Sequence, residues 1–132
     1  NMGLAYKQLD DFRRAARCYQ SQLKISQSLG NRFGESTALM NLGVLYAQTG
    51  DLSQAVKHYA RSANISGEIG NSVNEGISLC NLSLACYKLG DLQKAIEYAQ
   101  LTILNRVNSP YADQLLEQLN QWRKQQTVFA PC

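Results

Sequence analysis

The sequence predicts an all-α fold of stacked antiparallel helix pairs, and three observations predict it. The chain repeats itself every 40 residues, its apolar residues recur at helical spacing, and glycine followed by Asp or Asn punctuates it at fixed intervals. A period of roughly 20–50 residues marks a solenoid, in which no unit buries its own apolar face and stacking supplies the core. The recurrence is direct. Asn1-Met2-Gly3 returns as Asn41-Leu42-Gly43 and Asn81-Leu82-Ser83, Tyr6 as Tyr46, Asp11 as Asp51 and Asp91, Ala15 as Ala55 and Ala95, and Gly30-Asn31 as Gly70-Asn71. Aligning residues 1–40 with 41–80 gives 13 identities, and they fall at spaced structural positions.

Residues 1–30 read as a partial first repeat lacking the start of its first helix, with Asp10-Asp11 where later units have Gly50-Asp51. A somewhat different turn is expected there. Residues 31–70 read as a full pair. Ala38, Leu39, Leu42, Leu45 and Tyr46 form one apolar stripe over 34–48, and Leu52, Ala55, Val56, Tyr59, Ala63, Ser66 and Ile69 form another. Between them, Gly50 suits the left-handed conformation that ends a helix, and Asp51 can accept from the free amides that open the next. Residues 71–107 repeat the design, with Leu89-Gly90-Asp91-Leu92 at the turn. The last segment departs from the period. Ser109-Pro110 is a helix start, Ser as cap and Pro at the first helical position. A capping helix over 109–126 follows, with Leu115, Leu116, Leu119 and Trp122 inward and Gln114, Gln118, Gln121, Gln125 and Gln126 elsewhere. Thr127–Cys132 reads as a frayed tail. The whole is one domain over 1–132, and because the numbering opens inside a repeat, a piece of a longer protein is expected.

Composition narrows the function. The net charge of +3 arises in residues 1–30, where five basic residues face two acidic ones; the remainder balances. A surface that neutralises several phosphates is therefore not expected, which argues against nucleic acid. Cys18, Cys80, Cys86 and Cys132 form no C-x-x-C pair, and the one histidine, His58, has no ligand neighbour in sequence. A zinc site needs clustered donors, so no metal or other cofactor is expected. Free thiols suit a reducing, cytoplasmic setting. No apolar run reaches the ~18 residues of a membrane span. Phosphate loops, H-E-x-x-H and nucleophile–base neighbours are all missing, so neither an enzyme nor a small-molecule substrate is expected.

Leu39, Leu42, Gly43, Tyr46, Ala55 and Tyr59 resemble the tetratricopeptide repeat pattern, W-x2-L-G-x2-Y then A-x3-F then P. The third unit keeps Leu79, Leu82 and Ala95 but has Ser83, Cys86 and Ala99 where the pattern has Gly, Tyr and an aromatic. The family proline would fall at Gly67, so the second helix should run on, which accounts for 40 residues per unit. Long units with L-G-[DN] links resemble those of LGN-type G-protein-signalling modulators and kinesin light chains. The resemblance covers residues 1–107 and implies a right-handed superhelix of the TPR type, serving as a scaffold for a protein partner.

It also implies a groove lined by the first helix of each pair, with the Asn before each Leu-Gly pointing in. Asn1, Asn41 and Asn81 hold that position. A primary amide donates and accepts, so it can pair with both polar groups of a peptide backbone. A ladder of such amides suits an extended segment, and similar Asn ladders occur in O-GlcNAc transferase and LGN-type repeats. The alternative is that each Asn bonds its own neighbouring helix. In the family register the remaining groove residues are Leu4, Lys7 and Gln8, then Thr37, Met40, Val44, Ala47 and Gln48, then Ile77, Cys80, Leu84, Tyr87 and Lys88. The carboxylate clamp of chaperone-binding repeats is missing, because its groove Asn would fall at Leu4, Val44 or Leu84. Lys7 and Lys88 leave room for one acidic contact each.

Overall fold

The computed structural model describes the backbone of residues 2–104 and 110–129, and the side chains of residues 8–103 and most of 114–125. Six helices follow in order: α1 (Met2–Leu29), α2 (Arg32–Gln48), α3 (Leu52–Glu68), α4 (Ser72–Lys88), α5 (Leu92–Leu104) and α6 (Pro110–Phe129). Each packs on the next, and the described residues contain no strand, as the periodicity predicts.

The punctuation works as expected. Gly30, Gly50, Gly70 and Gly90 all have positive φ, between 68° and 88°, a region that L side chains enter at a cost. The residue after each begins the next helix. Asn31 Oδ1 accepts from Gly34 N at 3.0 Å, Asp51 Oδ1 from Gln54 N at 3.3 Å, Asn71 Oδ1 from Asn74 N at 3.2 Å, and Asp91 Oδ1 from Lys94 N at 3.1 Å. Each cap satisfies an amide that the helix start leaves free.

The first unit differs. No turn interrupts Asp10-Asp11, and α1 runs unbroken for 28 residues. The reason is local. Asp10 stands where Gly50 and Gly90 adopt positive φ, and instead its carboxylate pairs with Arg14 at 3.0 Å one turn on, which supports a continuing helix. Residues 2–9 therefore form no separate inner helix beside α2.

The core follows the register. Leu39 and Leu42, Leu79 and Leu82, and Leu119 and Trp122 are all buried, each pair 40 residues after the last. The terminal helix thus keeps the period from which the sequence reading excluded it: α6 occupies the place of α2 and α4 in a fourth unit. Its helix also continues to Phe129, three residues past the expected end, while Ser109 and residues 130–132 lie outside the described residues. Leu116, expected inward, is 45% exposed.

The two helix layers are unevenly spaced. The inner helices approach one another, α2 with α4 and α4 with α6, whereas α3 and α5 do not meet. A stack whose one layer closes while the other opens curves toward the closed side, so α2, α4 and α6 line the inside of the bend.

Candidate functional site

Gly43 sits under the Tyr59 ring, and a Cβ there would stand 2.7 Å from the ring carbons. That approach lets α2 and α3 lie close and sets the rotation of α2. With Leu39 and Leu42 buried, residues 37, 41, 44 and 48 form a stripe on the face turned away from the core. On α4 the same stripe is 77, 81, 84 and 88. Asn41 and Asn81 are half-buried in it, and neither side-chain amide makes a hydrogen bond to any described residue. Val44 and Leu84 flank them, 36% and 39% exposed.

The other expected groove residues divide. Thr37, Met40 and Ile77 are half-buried on this face, with the Thr37 hydroxyl donating to the Phe33 carbonyl at 3.1 Å, while Gln48 and Lys88 are exposed. Cys80 is buried instead of lining the surface. Tyr87 is held by α6: its ring stacks on Trp122, centroids 4.8 Å apart and planes 22° apart. Asn1 and the side chains of Leu4 and Lys7 lie outside the described residues. Because α1 is unbroken, Gln8 does not join the Asn41–Asn81 stripe. It lines a cavity of about 630 Å³ with Asp11, Phe12, Tyr19 and Leu45 that adjoins the stripe only at its end, through Gln48. A further cavity of about 650 Å³ opens on the outer side, between α3 and α5, lined by Ala63, Asn64, Glu75, Leu79, Tyr98 and Leu101.

Two of the free thiols are buried, while Cys18 is exposed. Burial pushes the Cys80 thiol up, and burial, with Asp91 nearby, does the same to Cys86, so both are held as inert thiols. His58 Nδ1 lies 2.7 Å from the Gln54 carbonyl, and its ring meets Tyr46 at 5.0 Å. Among the buried hydroxyls, Ser62 donates to Ser36 O at 2.8 Å and meets Ser78 Oγ at 2.9 Å, whereas Ser66 Oγ has no partner among the described residues. Arg32 bridges Glu35 and Glu68, which ties the start of α2 to the end of α3. Among the described residues no three His, Cys, Asp or Glu side chains gather to hold a metal ion, and no helix is long and apolar enough to cross a membrane.

One residue on this face was missed. Gln121 stands 40 residues after Asn81, is exposed, and makes no hydrogen bond to the described residues. The period itself carried the signal, obscured by reading α6 as an aperiodic cap.

Compared with known families, the chain matches the family model described as tetratricopeptide repeat over two overlapping spans, residues 1–68 and 35–103. No curated protein matches it.

Proposed function

The chain belongs to the tetratricopeptide repeat family, and on that premise we propose that it is a scaffold that binds an extended segment of a partner protein along the face of α2 and α4. Repeats of this family mediate protein–protein contacts. The observation that carries the finer reading is the pair of half-buried Asn41 and Asn81 amides, one repeat apart on adjacent inner helices, with no internal partner among the described residues. A polar group drawn half out of water without a bond is costly, and an external backbone supplies the missing donor and acceptor. The apolar surface of Val44 and Leu84 between them favours side chains that gain from burial. The amide pair and the 40-residue units support likeness to the long-repeat, LGN-type members. No catalytic step belongs to this reading, and the thiols suit a cytoplasmic setting. In the alternative, the segment recruits partners for a larger multidomain protein or enzyme, using the same face.

Asn41→Ala tests it. With no internal bond to lose, the melting temperature should stay nearly unchanged, while partner binding weakens by about 1–3 kcal/mol for two lost hydrogen bonds. That is on the order of five- to a hundredfold in Kd. Adding Asn81→Ala should deepen the loss almost additively. Calorimetric melting beside a binding titration decides: lost stability with intact affinity would make both amides structural.

A further inference from the structure

The register places residues 117–128 of α6 at the stations of 37–48 on α2 and 77–88 on α4. Burial confirms the rotation, because Leu119 and Trp122 are as deeply enclosed as Leu39 and Leu42. The outward stripe on α6 therefore begins Glu117, Gln121, Lys124, all exposed. α6 approaches α4 as α4 approaches α2, which sets this stripe next in order after those of Asn41 and Asn81. Its chemistry changes along the way. Val44 and Leu84 are apolar, and the third residue at that station is Lys124. Lys88 stands one turn beyond Leu84, and the Tyr87–Trp122 stack brings that last turn of α4 against the middle of α6. Neither Lys88 nor Lys124 has an ion pair among the described residues. Glu117 lies seven residues before Lys124, about 10 Å along the helix, too far to neutralise it by contact.

We propose that α6 is the fourth inner helix of the binding face, that Gln121 is a third amide rung after Asn41 and Asn81, and that Lys124 with Lys88 selects an acidic side chain in the ligand. The proposal rests on the peptide-binding reading and gives its ligand a chemistry. The occupant is an extended partner segment whose apolar residues cover Val44 and Leu84 and whose Asp or Glu meets the two lysines. Inner helices about 8–10 Å apart and an extended chain rising about 3.3 Å per residue set one rung every three residues or so. The acidic residue accordingly falls about three positions beyond the apolar one over Leu84.

A random dodecapeptide display library, panned against the whole chain, supplies the probe. Selected peptides should carry Asp or Glu about three residues from an apolar position. Their affinity should fall about five- to tenfold in Gln121→Ala and return largely in Gln121→Asn, which restores the amide. Panning against Lys124→Glu should replace the acidic residue with Lys or Arg. Both positions are exposed, so melting temperatures should match the parent. If selected peptides weaken with Asn41→Ala but bind Gln121→Ala and Lys124→Glu unchanged, the face ends at α4 and this inference is overturned while the scaffold reading stands. Peptides indifferent to Asn41 and Asn81 as well, or none selected, would sink both.

Discussion

At the scale of single residues, the helix crossings are filled differently from one unit to the next. Gly43 faces Tyr59, and the bare backbone receives the ring. One unit later Ser83 replaces the glycine and Ala99 replaces the tyrosine. Both are fully buried, and the Ser83 hydroxyl donates to the Ala95 carbonyl at 2.6 Å. Sequence alone showed the two substitutions and not the Ser83 hydroxyl's bond to the next helix, because helix-crossing distance is a tertiary quantity. Gly43→Val should destabilise by about 1–3 kcal/mol, since the ring cannot withdraw from a filled core. Thermal melting checks this, and an unchanged midpoint would mean the crossing is loose. The thiols give a second prediction. Cys18 is exposed and should alkylate at an ordinary rate, while Cys80 and Cys86 should resist until unfolding, as peptide mapping by mass spectrometry would read. Their folded pKa values, and that of the Tyr59 phenol, are raised by burial, so folding favours the protonated forms. The stability they contribute is complete at neutral pH and is lost as pH rises above the ordinary values, about 8.5 for the thiols and about 10 for the phenol.

At the scale of elements, the helix pairs of units two and three were legible because their signals are local: apolar spacing, one glycine, one capping side chain. The two ends were not. The unbroken α1 has Asp10 where the later units have a turn glycine, with an exposed Asp10–Arg14 pair adding slight support, a choice between two local states that periodicity cannot decide. The place of α6 was hidden for another reason. Trp122 and Gln121 conserve burial and amide chemistry without conserving the residue type, so identity counting passed over them. Trp122 and Leu119 share one apolar cluster with Leu82, Cys86 and Ala99. Removing residues 109–132 should uncover that cluster and the Tyr87 ring, lowering both the melting temperature and solubility, as uncapped solenoids do. Sedimentation and melting of the truncated chain test this. A monomer of unchanged midpoint would contradict it.

At the scale of the whole molecule, the face that carries the proposed function could be foreseen in kind and only partly in extent. Asn41 and Asn81 are half-buried and Val44 and Leu84 exposed on one side of α2 and α4. Tyr87 stacks on Trp122 and remains partly exposed, a contact that sequence does not announce, since nothing in it states which aromatic will meet which. The uneven spacing of the layers has a mechanical consequence. In a bent beam the inner fibres are compressed and the outer ones stretched. Here the inner fibres, α2, α4 and α6, already touch, whereas the outer ones leave a gap of about 650 Å³ between α3 and α5. Tighter bending meets a hard stop; flattening narrows an open cleft and sacrifices a few inner contacts. The spring is therefore one-sided, and the trough yields to a bulky guest more readily than it clasps a slender one.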